Sequence, residues 1–123
     1  TPANLFDRRP PPPAGEAFEA LLRHRNLVIE RIVSSDRPEP SFYDQIQDEW
    51  VLLVQGHATL DLSGEILNLG PGDHVFIPAH TPHRVLRTSQ EPPCLWLAVH
   101  LTQTQHPTEA EPDPGPPTPA GFG

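Results

Sequence analysis

From Phe42 to Leu101 the apolar residues come in short runs or in alternation, and no helical period appears. Such runs, bounded by turn residues, predict consecutive β-strands. Residues 49–55 (EWVLLVQ) form one, broken by Gly56. Residues 57–62 (HATLDL) alternate, with Ala58, Leu60 and Leu62 on one face. Ser63-Gly64 is a hairpin-like turn into a strand over 65–69. Gly70-Pro71-Gly72-Asp73 is a second turn, in which proline presets φ and glycine takes conformations closed to other residues. Val75, Phe76 and Ile77 make a short strand that Pro78 ends, because proline has no N–H for a ladder. Residues 84–88 and 94–101 (CLWLAVHL) complete the series. In the last strand Leu95, Leu97, Val99 and Leu101 share one face, and Trp96, Ala98 and His100 the other.

Upstream, residues 27–34 (LVIERIVS) are β-branched and predict the first strand, with Glu30 and Arg31 interrupting its apolar pattern. Residues 15–24 (GEAFEALLRH) read differently. Phe18, Leu21 and Leu22 fall at i, i+3 and i+4, which predicts a short helix laid on the sheet as a lid.

Proline divides the chain. It makes up 18 of 123 residues and is concentrated at the ends. Pro10 to Pro13 are a stiff polyproline run, so residues 1–14 are expected to be an arm outside the core. Residues 103–123 are poor in large apolar side chains and are expected to be disordered. Residues 15–102 are left as one all-β domain, an antiparallel sandwich or barrel with room inside for side chains and at most one small ligand.

Charge narrows the partners. Eight Lys and Arg against 16 Asp and Glu give a formal net charge of −8. Nucleic acid and anionic membrane surfaces both need clustered positive charge, so neither is expected. No apolar run approaches the length of a membrane span, and the first residues lack the apolar core of a signal peptide. One cysteine, Cys94, excludes an internal disulfide and fits a reducing, cytoplasmic setting.

The candidate chemistry centres on residues 70–85 (GPGDHVFIPAHTPHRV), where His80 and His83 stand three apart beside a strand. Glu49 lies on an otherwise apolar strand and would be costly to bury unpaired. It needs a cation, and Arg87 is one candidate for an interior salt bridge. His83 is either an interior ligand or hydrogen-bonded to nearby backbone. His57 and His74 lie beside turns and read as surface residues, and His100 is open between pocket and surface. Asp73 reads as the organiser of its turn, and Cys94 as a buried small residue. No nucleophile elbow, P-loop or dinucleotide fingerprint is present.

Glu49 followed at the right spacing by Gly56, and then Gly72-Asp73, Ile77-Pro78 and His83, resemble the two motifs of the cupin family. The resemblance covers about residues 26–101. YDQIQDEWVLLVQG with IPAHTPHRV and WLAVH further resembles small single-domain bacterial cupins of undefined activity. It implies an antiparallel jelly-roll barrel and, commonly, a divalent metal held by two histidines and a glutamate of the first motif and one histidine of the second. Glu49 and His83 match that set. The first-motif histidines do not: Tyr43 and Gln45, or Phe42 and Asp44 with a longer gap, stand in their places.

The resemblance thus implies Glu49 and His83 as metal ligands; Gln45 is the candidate to complete the set with an oxygen, Asp44 and His100 are secondary candidates, and the ion would be Fe, Mn, Ni or Zn. Tyr43 and His80 are the candidates for orienting substrate or moving a proton. Dioxygenase, isomerase and decarboxylase chemistries are all open. So is a metal-free or weakly metallated barrel that binds or senses a small ligand. By the same resemblance a homodimer is expected, formed by exchanging or pairing N-terminal strands, with residues 27–34 as the candidate strand.

Overall fold

A computed structural model of the chain describes residues 2–7 and 10–102. The tail expected to be disordered, 103–123, lies outside the described residues. Eight strands follow in order: β1 (Glu16–His24), β2 (Leu27–Ser34), β3 (Asp48–Gln55), β4 (Ala58–Leu62), β5 (Glu65–Leu69), β6 (His74–Ile77), β7 (His83–Thr88) and β8 (Leu95–Leu101). They form a five-stranded sheet in the order β1-β2-β8-β3-β6 and a three-stranded sheet in the order β5-β4-β7. The pairings between neighbouring strands are antiparallel. Among the described residues no helix is long and apolar enough to cross a membrane.

The expected N-terminal helix is not there. Residues 16–24 are β1, paired along their length with β2, from Glu16 opposite Ser34 to His24 opposite Leu27. A segment this short gains little from helix propensity alone, and a full ladder with β2 outweighs it. The supposed apolar stripe also splits. Phe18 packs on the core, whereas Leu21, in a bulge between Ala20 and Leu22, and Leu22 after it are exposed. Within the chain β2 is paired on both edges, with β1 on one and β8 on the other.

The start of β1 is fixed by Gly15, which has φ +64°, donates to Arg37 O at 2.8 Å and accepts from Ser35 N and Ser35 Oγ. A side chain is disfavoured at that φ. The N-terminal arm is not free of the barrel. Leu5 and Asp7 carbonyls accept from Arg31 Nη1, and Arg31 Nη2 also pairs with Glu19. Arg31 and Glu19 are register partners, so this cluster clamps the outer face of β1 and β2.

Alternation then sorts the interior. Ile32, Val51, Leu53, Leu60, Ile77, Val85, Trp96 and Ala98 form a buried core between the sheets. Each large apolar side chain so buried stabilises the fold by ~1.5–3 kcal/mol. The same inward positions carry Glu30 on β2, Glu49 on β3, His83 on β7 and His100 on β8, all buried. The barrel therefore holds a polar cluster beside its apolar core.

Candidate functional site

Residues 45, 47 and 49 alternate inward as the chain enters β3, which buries Gln45, Gln47 and Glu49 together. The preceding segment is pinned to the β6–β7 connection. Tyr43 N donates to His83 O at 2.8 Å, His83 N donates back to Tyr43 O at 3.0 Å, and His80 N donates to Gln45 O at 2.7 Å. On the other side, Glu49 stands opposite His100 in the β3–β8 register. Three strands and one loop thus deliver side chains to one place.

The hydrogen bonds give those side chains fixed roles. Gln45 Nε2 donates to Glu49 Oε1 at 2.7 Å. Gln45 Oε1 and Glu49 Oε2 are buried and have no hydrogen-bond partner. His83 Nδ1 lies 2.9 Å from Thr81 O, an acceptor only, so Nδ1 carries the proton and Nε2 is the basic atom. Gln47 Nε2 meets His100 Nδ1 at 3.3 Å, and His100 Nε2 meets Glu30 Oε1 at 2.9 Å. An amide nitrogen only donates, so the neutral His100 ring accepts at Nδ1 and donates at Nε2.

Electrostatics follows from burial. Burial raises the Glu49 carboxyl above its usual range. The charges of His100 and His83 and the hydrogen bond from Gln45 pull it back, and Glu30 adds to the rise. Burial works to lower His100, but its bond to Glu30 and the charges of Glu49 and Glu30 outweigh that and raise it. Burial, with Glu16 and Glu39 behind it, raises the Tyr43 phenol and keeps its hydroxyl neutral. Its ring lies 6.2 Å from that of His83. Cys94 is buried with its thiol raised by burial, which makes it unreactive.

Gln45, Glu49 and His83 therefore come together, with Tyr43 against His83. Asp44 and His80 do not join them. Both are exposed, and they face each other at 3.4 Å outside the cluster. His100 is inside, but Gln47 and Glu30 occupy its two nitrogens. Arg87 is exposed, so no interior salt bridge to Glu49 forms there; the bulge between Thr59 and Leu60 shifts the β4–β7 register at that point.

Three interior polar residues were missed from sequence. Gln47 has the same parity as Gln45 and Glu49, and that alternation would have found it. Glu30 interrupts an apolar strand, the same signal that singled out Glu49. Glu16 was hidden by the helix expected around it. Its carboxyl is buried, and it accepts from Ser34 Oγ at 2.6 Å.

The donor set bears on the metal. Among the described residues no three His, Cys, Asp or Glu side chains group to hold an ion. A set that includes the amide of Gln45 does fit one. Its Oε1 and Glu49 Oε2 are buried acceptors without donors, which a cation between them would satisfy. The Nδ1–H of His83 on a backbone carbonyl is the arrangement that orients a metal-binding imidazole. Three protein donors with an open position describe catalytic sites better than structural ones.

Comparison with known proteins agrees with this architecture. The family model for the cupin domain matches residues 32–100. A protein of Ralstonia eutropha JMP134, named a candidate mannose-6-phosphate isomerase, is 39% identical, with 84% of this chain and 99% of that one covered and a TM-score of 0.76. A cupin superfamily protein of Desulfitobacterium hafniense DCB-2 is 22% identical over 72% of this chain and 78% of its own, with a TM-score of 0.61. HppE in its Fe(II) form shares the fold at 18% identity and a TM-score of 0.61, over 71% of this chain and 50% of its own. No curated protein matches. With the inward Glu49 and His83, the two antiparallel sheets and the family match over 32–100, the chain belongs to the cupin family.

Proposed function

We propose that this cupin is a divalent-metal-assisted enzyme of the isomerase type, acting on a small polar molecule inside the barrel. One observation carries the proposal: two buried oxygens, Gln45 Oε1 and Glu49 Oε2, stand without partners beside His83. Gln45, Glu49 and His83 would hold the ion. When bound, it supplies a Lewis acid that polarises a substrate oxygen. The chain's own residues do the rest. Thr81 O fixes the His83 ring through Nδ1. Gln47 and Glu30 hold His100 beside Glu49. The neutral Tyr43 hydroxyl both donates and accepts, which suits it to orient a substrate hydroxyl. The name of the Ralstonia relative supports isomerisation over oxygen chemistry or decarboxylation.

A second reading rests on the same two oxygens: ligand hydroxyls satisfy them without metal, in a binding or sensing module. The experiment separates the two. Untagged, chelator-treated protein is incubated with Fe(II), Mn(II), Ni(II) or Zn(II) and mannose 6-phosphate in deuterated water. Metal-dependent exchange at carbon 2, lost in Glu49→Gln, supports the enzyme. A thermal shift with sugars that persists in chelator, with no exchange under any metal, supports the binding module and removes the enzyme.

A further inference from the structure

The outer face of the three-stranded sheet carries polar side chains that the interior site does not use. Along β7, His83 and Val85 are buried inward, and strict alternation would send residue 87 inward too. It does not go there. Leu60 stands opposite Val85 and Thr59 opposite Arg87, so Leu86 is an extra residue, a bulge that turns Arg87 outward. Arg87 then lies in one cross-strand row with Thr59 and Asn68. His57 and Gly70 flank this row at the end of the sheet away from His83. A Cβ on Gly70 would sit 3.5 Å from His57 Nδ1, and Ser89 Oγ accepts from His57 N at 3.0 Å. Together these residues line a groove of about 430 Å³.

The polar groups left unspent in the groove are donors. Thr59 Oγ1 donates to Asn68 Oδ1 at 3.0 Å, which leaves both N–H of Asn68 Nδ2 free. Arg87 brings five N–H and makes no hydrogen bond or ion pair among the described residues. The hydroxyl protons of Ser89 and Thr88 are taken by Pro92 O and Ser35 O. The chain has a net charge of −8, yet no Asp or Glu lines the groove. Asp73 and Asp61, beside it, are engaged in turns, where they accept from Gly70 N and Gly64 N.

We propose that this groove is an anion site, separate from the interior one, and that it takes the phosphate group of a small phosphorylated molecule. The planar fork of Arg87 engages two phosphate oxygens. Asn68 Nδ2, on the far side of Thr59, and the His57 ring supply donors for the others. Two strand spacings set the Arg87 and Asn68 backbones about 10 Å apart, a gap that an arginine side chain and one phosphate close. A carboxylate has two oxygens and a single charge, so it leaves part of this donor set unused. The groove also falls within the ~300–1,000 Å³ of small-molecule sites, which leaves room for the rest of the ligand.

The test titrates full-length, untagged, chelator-treated, nitrogen-labelled protein with glycerol 3-phosphate, inorganic phosphate and acetate. Saturable shifts are expected at Arg87 Nε–H, at the Asn68 side-chain amide and at the backbone amides of Thr59 and Gly70. Glycerol 3-phosphate should bind at least as tightly as inorganic phosphate, and acetate about tenfold more weakly. Arg87→Ala should weaken phosphate binding at least about tenfold. Asn68→Asp keeps the acceptor for Thr59 but replaces the donor with a charge, and it should abolish binding. Arg87 and Asn68 are exposed, so both variants should keep the wild-type amide spectrum outside the groove. Arg23→Ala, at an exposed arginine on β1, should bind as wild type does. No saturable shift, shifts confined to the interior around Glu49 and His83, or unchanged binding by Arg87→Ala would each overturn the site. Acetate binding as tightly as phosphate, or inorganic phosphate binding more tightly than glycerol 3-phosphate, would overturn the ligand class.

Discussion

Gln45 and Glu49 share one hydrogen bond, Nε2 to Oε1 at 2.7 Å, and each is left with a buried oxygen that has no partner. The pair is satisfied from one side only. That asymmetry leaves two buried acceptor oxygens unanswered, and it makes the behaviour of variants at Gln45 a matter of sign.

Gln45→Glu should reverse sign with metal. Without metal it sets a second carboxyl against Glu49 in a buried place, and the fold should lose about 2 kcal/mol. With a saturating divalent cation the added carboxylate should raise affinity and recover that loss. Thermal unfolding with chelator and with Mn(II) reads both. Equal destabilisation in the two conditions would count against a cation between these oxygens.

Glu16 should impose a pH dependence on stability. Its native pKa is about 8 against an ordinary 4.5, so the unfolded chain gives up this proton at lower pH than the native one. Between those values the native state binds more protons and stability falls as pH rises, by up to about 1.4 kcal/mol per pH unit. Below the ordinary value the effect vanishes. Glu16→Gln should therefore be nearly equal to wild type in stability at acid pH and gain on it progressively toward pH ~8. Urea midpoints across that range test it, and parallel profiles would contradict it. His100 slopes the same way in both proteins and cancels in the comparison.

Ser34→Ala should cost ~1–3 kcal/mol, because it strips the hydroxyl between the Trp96 indole and the Glu16 carboxyl, both buried. Chemical denaturation measures it. A neutral result would mean that water replaces the hydroxyl.

Gly15→Ala should destabilise by ~1–2 kcal/mol through its φ of +64° alone. The new Cβ would also come within 2.9 Å of Glu39 Oε1, but that is the end of a flexible side chain and can move. Stability at fixed pH checks the size.

Much of the barrel was legible because strand parity is legible. The segment from Gly70 to Val85 folds as the sequence suggests: Asp73 Oδ2 caps the turn by accepting from Gly70 N at 2.7 Å, and β6 ends at Ile77. The alternation of Glu49, Val51 and Leu53 placed Glu49 inside with His83. What was lost was lost to pairing partners. β1 looked helical because local spacing carries no information about the ladder β2 offers, and with β1 went Glu16. His80 and His83 stand only three apart, but their turn and strand positions separate them, and the structure keeps them apart. His80 has φ +60° in the turn and points to Asp44, whereas His83 begins β7 and points inward.

The most direct test of the metal site is calorimetric titration of untagged, chelator-treated protein with Mn(II) and Zn(II), repeated for Glu49→Gln and His83→Ala. One equivalent bound by wild type, weakened at least about tenfold in each variant, is the predicted result. No saturable binding by wild type, or equal binding by all three proteins, would contradict a site built from Gln45, Glu49 and His83.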